Sequence, residues 1–127
     1  MLKLKLKLVT AVAILLATGH AYPSSQFHGE WLRDDGNARV RIAACGEALC
    51  ATNTWIGDTS GGEQVGDKLV MTVTPSSPDR LSGMAFDPKR NLTYSIRIEV
   101  RDETLVTRGC ILGGLLCKGV NWSRAGN

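Results

Sequence analysis

Four cysteines and one histidine hold most of the reactive chemistry beyond residue 21. Cys45 and Cys50 enclose four residues, and Cys110 and Cys117 enclose six. Such a set could ligate a metal, run a thiol–disulfide couple, or staple the fold. Structural zinc favours paired ligands about two to four residues apart. The second gap is wider than that, and His28 is the one imidazole left to complete a ligand set. Redox pairs typically show Cys-x-x-Cys, which this chain lacks. Disulfides are therefore expected, with no metal and no cofactor.

Four cysteines allow three pairings, and strand parity chooses among them. If residues 46–49 form a four-residue hairpin loop, Cys45 lies opposite Cys50, Ala44 opposite Ala51, Ile42 opposite Asn53 and Val40 opposite Trp55. Val40, Ile42, Ala44 and Trp55 then share an apolar face. Arg39, Arg41, Thr52, Thr54 and both cysteines share the other. One register satisfies both the apolar face and the disulfide, because opposed strand residues lie close enough to bridge. Cys45–Cys50 follows, and Cys110–Cys117 by elimination.

The elements that carry these residues are short, β-rich and punctuated by turn residues. Strands are expected near 28–33, 38–45, 50–56, 67–74, 81–87, 92–100, 103–109 and 117–124. The clearest is Leu92 to Val100, where Leu, Tyr, Ile, Ile and Val alternate strictly with polar residues, so that one face is buried. Pro75 to Arg80 reads as a turn, and Gly57–Gly66 as a long loop over one mouth. About eight antiparallel strands in sequence are enough to close a small up-and-down barrel, which leaves no exposed edge. The fold class is all-β.

Some of the interior of that barrel is polar. With Arg101-Asp102 as the turn between the sixth and seventh strands, Ile98 faces Leu105, Ile96 faces Thr107 and Tyr94 faces Gly109, which leaves room for the ring. Buried polar groups need partners. Asn53, Tyr94 and Thr107, with Trp55 on the same interior face, are thus the candidate ligand contacts. The alternative is that the polar three bond to one another, to backbone or to trapped water. Met84 and Phe86 are expected to be buried by a bulged turn. No catalytic residue is assigned: there is no Gly-x-Ser-x-Gly elbow, phosphate loop or paired-His motif. Asn91-Leu92-Thr93 and Asn121-Trp122-Ser123 match the glycosylation triplet, a pattern too short to weigh.

Residues 1–21 read as a secretory signal peptide. Lys3, Lys5 and Lys7 precede an apolar run from Leu8 to Ala17, and Gly19-His20-Ala21 places cleavage after Ala21. That run is shorter than the ~20 residues that span a bilayer. A periplasmic or secreted single barrel domain over 22–127, without a membrane anchor, is expected. The charge of +3 belongs to the precursor, since beyond the signal lysines twelve basic residues balance twelve acidic ones. Such a balance argues against nucleic-acid binding, which needs a cationic surplus.

Gly29-Glu30-Trp31 at one end and Trp122-Ser123-Arg124 at the other resemble the closure of lipocalin-like barrels, in which an Arg guanidinium lies over a Trp ring. That contact is worth roughly 1–2 kcal/mol when partly desolvated. From Gly29 to Arg124 the chain resembles an exported bacterial family catalogued as domain of unknown function 2147. The resemblance rests on Gly29-x-Trp31-Leu32, Val40-Arg41-Ile42, Cys45-Gly46, Leu49-Cys50, Trp55, Phe86-Asp87-Pro88, Tyr94, Arg108-Gly109-Cys110 and Trp122-x-Arg124. It implies a periplasmic lipocalin-like barrel that binds a small apolar or amphipathic molecule, and it carries over no catalytic residue. The chain departs from the family between Trp55 and Phe86, where Asp58 to Ser82 is shorter than in many members, so a long binding lid is not carried over.

The expected function is a non-enzymatic periplasmic module for a lipid-like or other small apolar ligand. The alternative is an envelope interaction or stress-protective protein with a filled core, acting through its loops.

Overall fold

The computed structural model describes residues 25–126, and the expected signal peptide lies outside them. A single 3₁₀ turn over Ser25–Phe27 leads into eight strands: β1 (Gly29–Arg33), β2 (Ala38–Cys45), β3 (Ala48–Ile56), β4 (Lys68–Ser77), β5 (Arg80–Asp87), β6 (Leu92–Arg101), β7 (Thr104–Ile111) and β8 (Leu116–Arg124). Each pairs antiparallel with its neighbour in sequence, and β8 returns to β1. The result is the expected closed up-and-down barrel. The alternation in β6 is plain: Ile96, Ile98 and Val100 are buried while Ser95 and Arg97 face solvent.

One hairpin is tighter than the sequence suggested, and another turns one residue later. The β2–β3 connection is the two-residue turn Gly46-Glu47, so Cys45 pairs with Ala48, Ile42 with Ala51 and Val40 with Asn53. Between β6 and β7 the turn is Asp102-Glu103, which sets Ile98 against Thr107 and Ile96 against Gly109. Each partner is displaced by two positions from expectation, and a shift of two leaves every side chain on its original face. Cys45 and Cys50 are therefore diagonal neighbours on the outer side, Cα atoms 5.7 Å apart, and they are bonded. Cys110 pairs directly with Cys117, and these two form the second disulfide.

Trp55 is the exception to the preserved faces. Val40 pairs with Asn53 but Arg39 with Trp55, so Thr54 is an extra residue in β3. Such a bulge reverses the alternation beyond it. Ile56 turns inward and Trp55 outward, the latter 44% exposed. The placement of Trp55 on the interior face is corrected accordingly.

Two further expectations fail for local reasons. β4 continues through Pro75 to Ser77, with an irregularity between Pro75 and Ser77 that absorbs the proline. The β5–β6 turn is the unbulged four-residue Pro88–Asn91, with Asp87 opposite Leu92. Met84 and Phe86 consequently point outward.

The core is concentrated at one end, here called the base. Phe27, Trp31, Leu81, Ile98 and Leu105 are essentially inaccessible there. The base also holds the short turns 46–47, 78–79 and 102–103 and both ends of the barrel. The opposite end, the mouth, carries the connections 34–37, 57–67, 88–91 and 112–115.

Candidate binding cavity

The barrel closes at its base through its first and last strands. Trp31 pairs with Arg124 across the β1–β8 seam, and the guanidinium carbon lies 4.0 Å from the centre of the Trp31 ring. Arg124 also donates to the Gln26 and His28 carbonyls, both at 2.8 Å. The indole N–H of Trp31 donates to the Phe27 carbonyl at 3.1 Å. Gly29 is glycine for two reasons. Its φ of 115° disfavours any side chain, and a Cβ there would meet Arg124 Nη1 at 3.1 Å. The stack, the hydrogen bonds and the glycine form one plug over the base.

Above that plug the barrel is open. A cavity of about 860 Å³ runs from Ile98 and Leu105 up to the mouth. Its wall is mostly apolar, with Val40, Ile42, Leu69, Met71, Ile96 and Val120 among the lining residues, and seven charged side chains, Lys68 and Lys118 among them, also line it. The core side chains fill the base and leave this upper half unfilled.

Asn53, Tyr94 and Thr107 all line the cavity, and Trp55 does not. Their hydrogen bonding separates them. Thr107 Oγ1 accepts from the indole N–H of Trp122 at 3.0 Å. The Asn53 carboxamide donates to the Gln64 carbonyl at 3.2 Å, and its backbone bonds to Gly66 and Asp67. Asn53 thus holds the end of the long loop. The Tyr94 hydroxyl has no hydrogen-bond partner among the described residues, and its ring lies against Gly109. Burial pushes its hydroxyl pKa up, and Asp87 adds to the effect. An un-ionised hydroxyl, free to donate or accept, therefore faces a mostly apolar chamber.

The Gly57–Gly66 loop is tied across the mouth by charged side chains. Arg33 at the end of β1 donates through both terminal nitrogens to the Glu63 carboxylate, and its Nε bonds Asp35 at 3.0 Å. From the opposite rim Lys89 donates to the Gly62 carbonyl at 2.8 Å and to the Asp67 carboxylate at 3.1 Å. Arg90 closes the rim by pairing with Asp87 at 2.9 Å. The Arg33 guanidinium holds Glu63 below the usual carboxylate range. Asp67 is lowered first by the Gln64 backbone N–H and, to a smaller extent, by Lys89.

Sequence reasoning missed Trp122 as the partner of Thr107, as well as the rim pairs. Arg33 and Glu63 are thirty positions apart, and no spacing rule joins residues that meet only across a closed barrel. Among the described residues no three His, Cys, Asp or Glu side chains gather as a metal-binding group. No helix among them is long and apolar enough to cross a membrane.

The profile of a family described as "Uncharacterized protein conserved in bacteria (DUF2147)" matches residues 29–124, the whole of the barrel, and the chain belongs to that family. A solved structure described as a redesigned beta barrel is similar to it, with a TM-score of 0.52 and 12% identity over 83% of this chain and 96% of that one. At that identity the likeness is one of fold. No curated protein matches the chain.

Proposed function

We propose that this member of the DUF2147 family is a non-enzymatic periplasmic module that holds one small apolar or amphipathic molecule inside its barrel. The observation that carries the reading is the mostly apolar cavity of about 860 Å³ with the unpartnered Tyr94 hydroxyl facing it. Its size falls in the range of about 300–1,000 Å³ typical of small-molecule sites, which combine apolar walls with a few placed polar groups. An apolar body would lie between Ile42, Met71 and Ile96, and a polar end would bond Tyr94. The unfilled interior favours this reading over a filled-core interaction protein. The periplasmic assignment draws on the signal-like N-terminus and on the two disulfides, which persist in oxidising compartments.

Native mass spectrometry of the protein purified from the periplasm tests the proposal. A reproducible extra mass, released on denaturation, is the expected result. Tyr94→Ala combined with Asn53→Leu should then change the affinity for that molecule. A bare monomer that also fails to take up 1-anilinonaphthalene-8-sulfonate would overturn the reading.

A further inference from the structure

The β7–β8 connection differs in composition from the other turns of the mouth. Asp34-Asp35-Gly36-Asn37 and Pro88-Lys89-Arg90-Asn91 are polar, whereas Ile111-Leu112-Gly113-Gly114-Leu115-Leu116 has no polar side chain. Leu112, Leu115 and Leu116 are 70%, 88% and 59% exposed. Leu112 also adopts a φ of 55°, a left-handed conformation that residues with a Cβ seldom take. Leucines held in water by a strained turn do little for the barrel beneath them. The Cys110–Cys117 bond fastens the two strands immediately below the turn, so the apolar tip is carried on a fixed base.

The tip is continuous with the cavity. Ile111 and Leu116 line the cavity wall, and Leu92 lines it from the adjacent strand. Leu112 and Leu115 extend this apolar track outward into solvent. A molecule passing from the tip to the interior would move past Ile111, Leu116 and Leu92 and then past Gly109 and the Tyr94 ring, with Lys118 beside them.

We propose that this leucine-tipped turn docks into the surface of a lipid bilayer and that the cavity loads and unloads there. The loading half of the proposal rests on the reading of the cavity as a container. A bilayer fits better than a second protein because the tip is one four-residue turn with the strand residue on either side of it. A stable protein interface buries about 800 Å² on each side, more than such a turn presents. Docking is hydrophobic rather than electrostatic. Of the charged groups at the mouth, Glu63, Asp67 and Asp87 are paired with Arg33, Lys89 and Arg90, Lys68 and Lys118 stand alongside Asp34, Asp35 and Asp58, and the chain beyond residue 21 has no net charge.

Co-sedimentation of the purified protein with phosphatidylcholine vesicles, at low and high salt, tests the docking. The expected result is binding of similar strength at both salt concentrations. The Leu112→Ser/Leu115→Ser variant should bind at least about tenfold more weakly, since each removes a leucine side chain from the apolar contact. Neither residue lines the cavity, so the variant should keep its melting temperature and take up 1-anilinonaphthalene-8-sulfonate as before. Failure of the native protein to bind vesicles, or undiminished binding by the variant, would overturn the proposal. So would a native dimer that the variant abolishes, which would assign the tip to a second copy. Vesicle binding without dye uptake would remove the container reading and leave the docking in place. Dye uptake without vesicle binding would do the reverse.

Discussion

The ring of Tyr94 lies in the hollow left by Gly109 on the neighbouring strand. A methyl group at position 109 would sit 2.8 Å from Tyr94 Cε2 and 3.0 Å from Cδ2. Gly109→Ala should therefore push the ring into the cavity and cost about 1–3 kcal/mol by overpacking. Removing the ring as well, in Gly109→Ala/Tyr94→Ala, should make the double variant more stable than the sum of the single effects. Urea denaturation of the four proteins measures this coupling; strict additivity would mean that the two residues do not contact.

The plug at the base should depend on the shape of the Arg124 group as well as on its charge. Arg124→Ala should lose roughly 2–3 kcal/mol, from the stack on Trp31 and two charge-assisted hydrogen bonds. Lysine cannot reproduce the planar fork that stacks and donates to Gln26 and His28 together. Arg124→Lys should then recover less than half of the loss in urea melts, and full recovery would reduce the contact to simple charge.

Acid should release the loop over the mouth. Glu63 and Asp67 both have depressed pKa values in the folded protein. Their contribution is thus complete above the unfolded values, about 4.3 and 3.9, and is lost as pH falls through the lower folded ones. Hydrogen exchange across residues 57–67, corrected for intrinsic rates, should be flat from pH 7 to about pH 5 and rise below about pH 4. Glu63→Gln should produce the exposed behaviour at neutral pH. Equal protection in that variant would show that the Arg33–Glu63 pair does not hold the loop.

The two disulfides should contribute similarly to stability and differently to function. Each closes a short loop, five and seven positions apart, and so should stabilise by only about 2–2.5 kcal/mol on the chain-entropy account. Replacing Cys45 and Cys50 by serine should leave vesicle binding intact. The same change at Cys110 and Cys117 should weaken it, because the leucine tip loses its fixed base. Identical vesicle binding by both variants would contradict that division.

Much of the barrel was legible in the sequence because alternation and turn residues are local signals. All eight strands lie within a few residues of their expected positions. The hairpin registers were not legible, since Gly46-Glu47 and Asp102-Glu103 turn in two residues where neighbouring frames fit the pattern equally well. Side-chain parity survives a shift of two, so Asn53, Tyr94 and Thr107 still reach the interior. It does not survive the single extra residue at Thr54, which turns Trp55 outward and had no compositional marker. The rim pairs and the leucine tip escaped notice because both are properties of the assembled mouth. A run of leucines and glycines in sequence reads equally well as strand or turn.

The β1–β8 seam also sets a timetable. Trp31 and Arg124 lie in the first and last strands of the barrel, yet the ring is complete only when those strands pair. Contacts so distant in sequence carry the largest loop-closure cost and form late. A chain emerging amino end first exposes an open sheet with two free edges until its final strand arrives. Strand β8 is thus the latch of the whole barrel, and truncation just before Trp122 should leave an edge-exposed, aggregation-prone sheet rather than a smaller version of the fold.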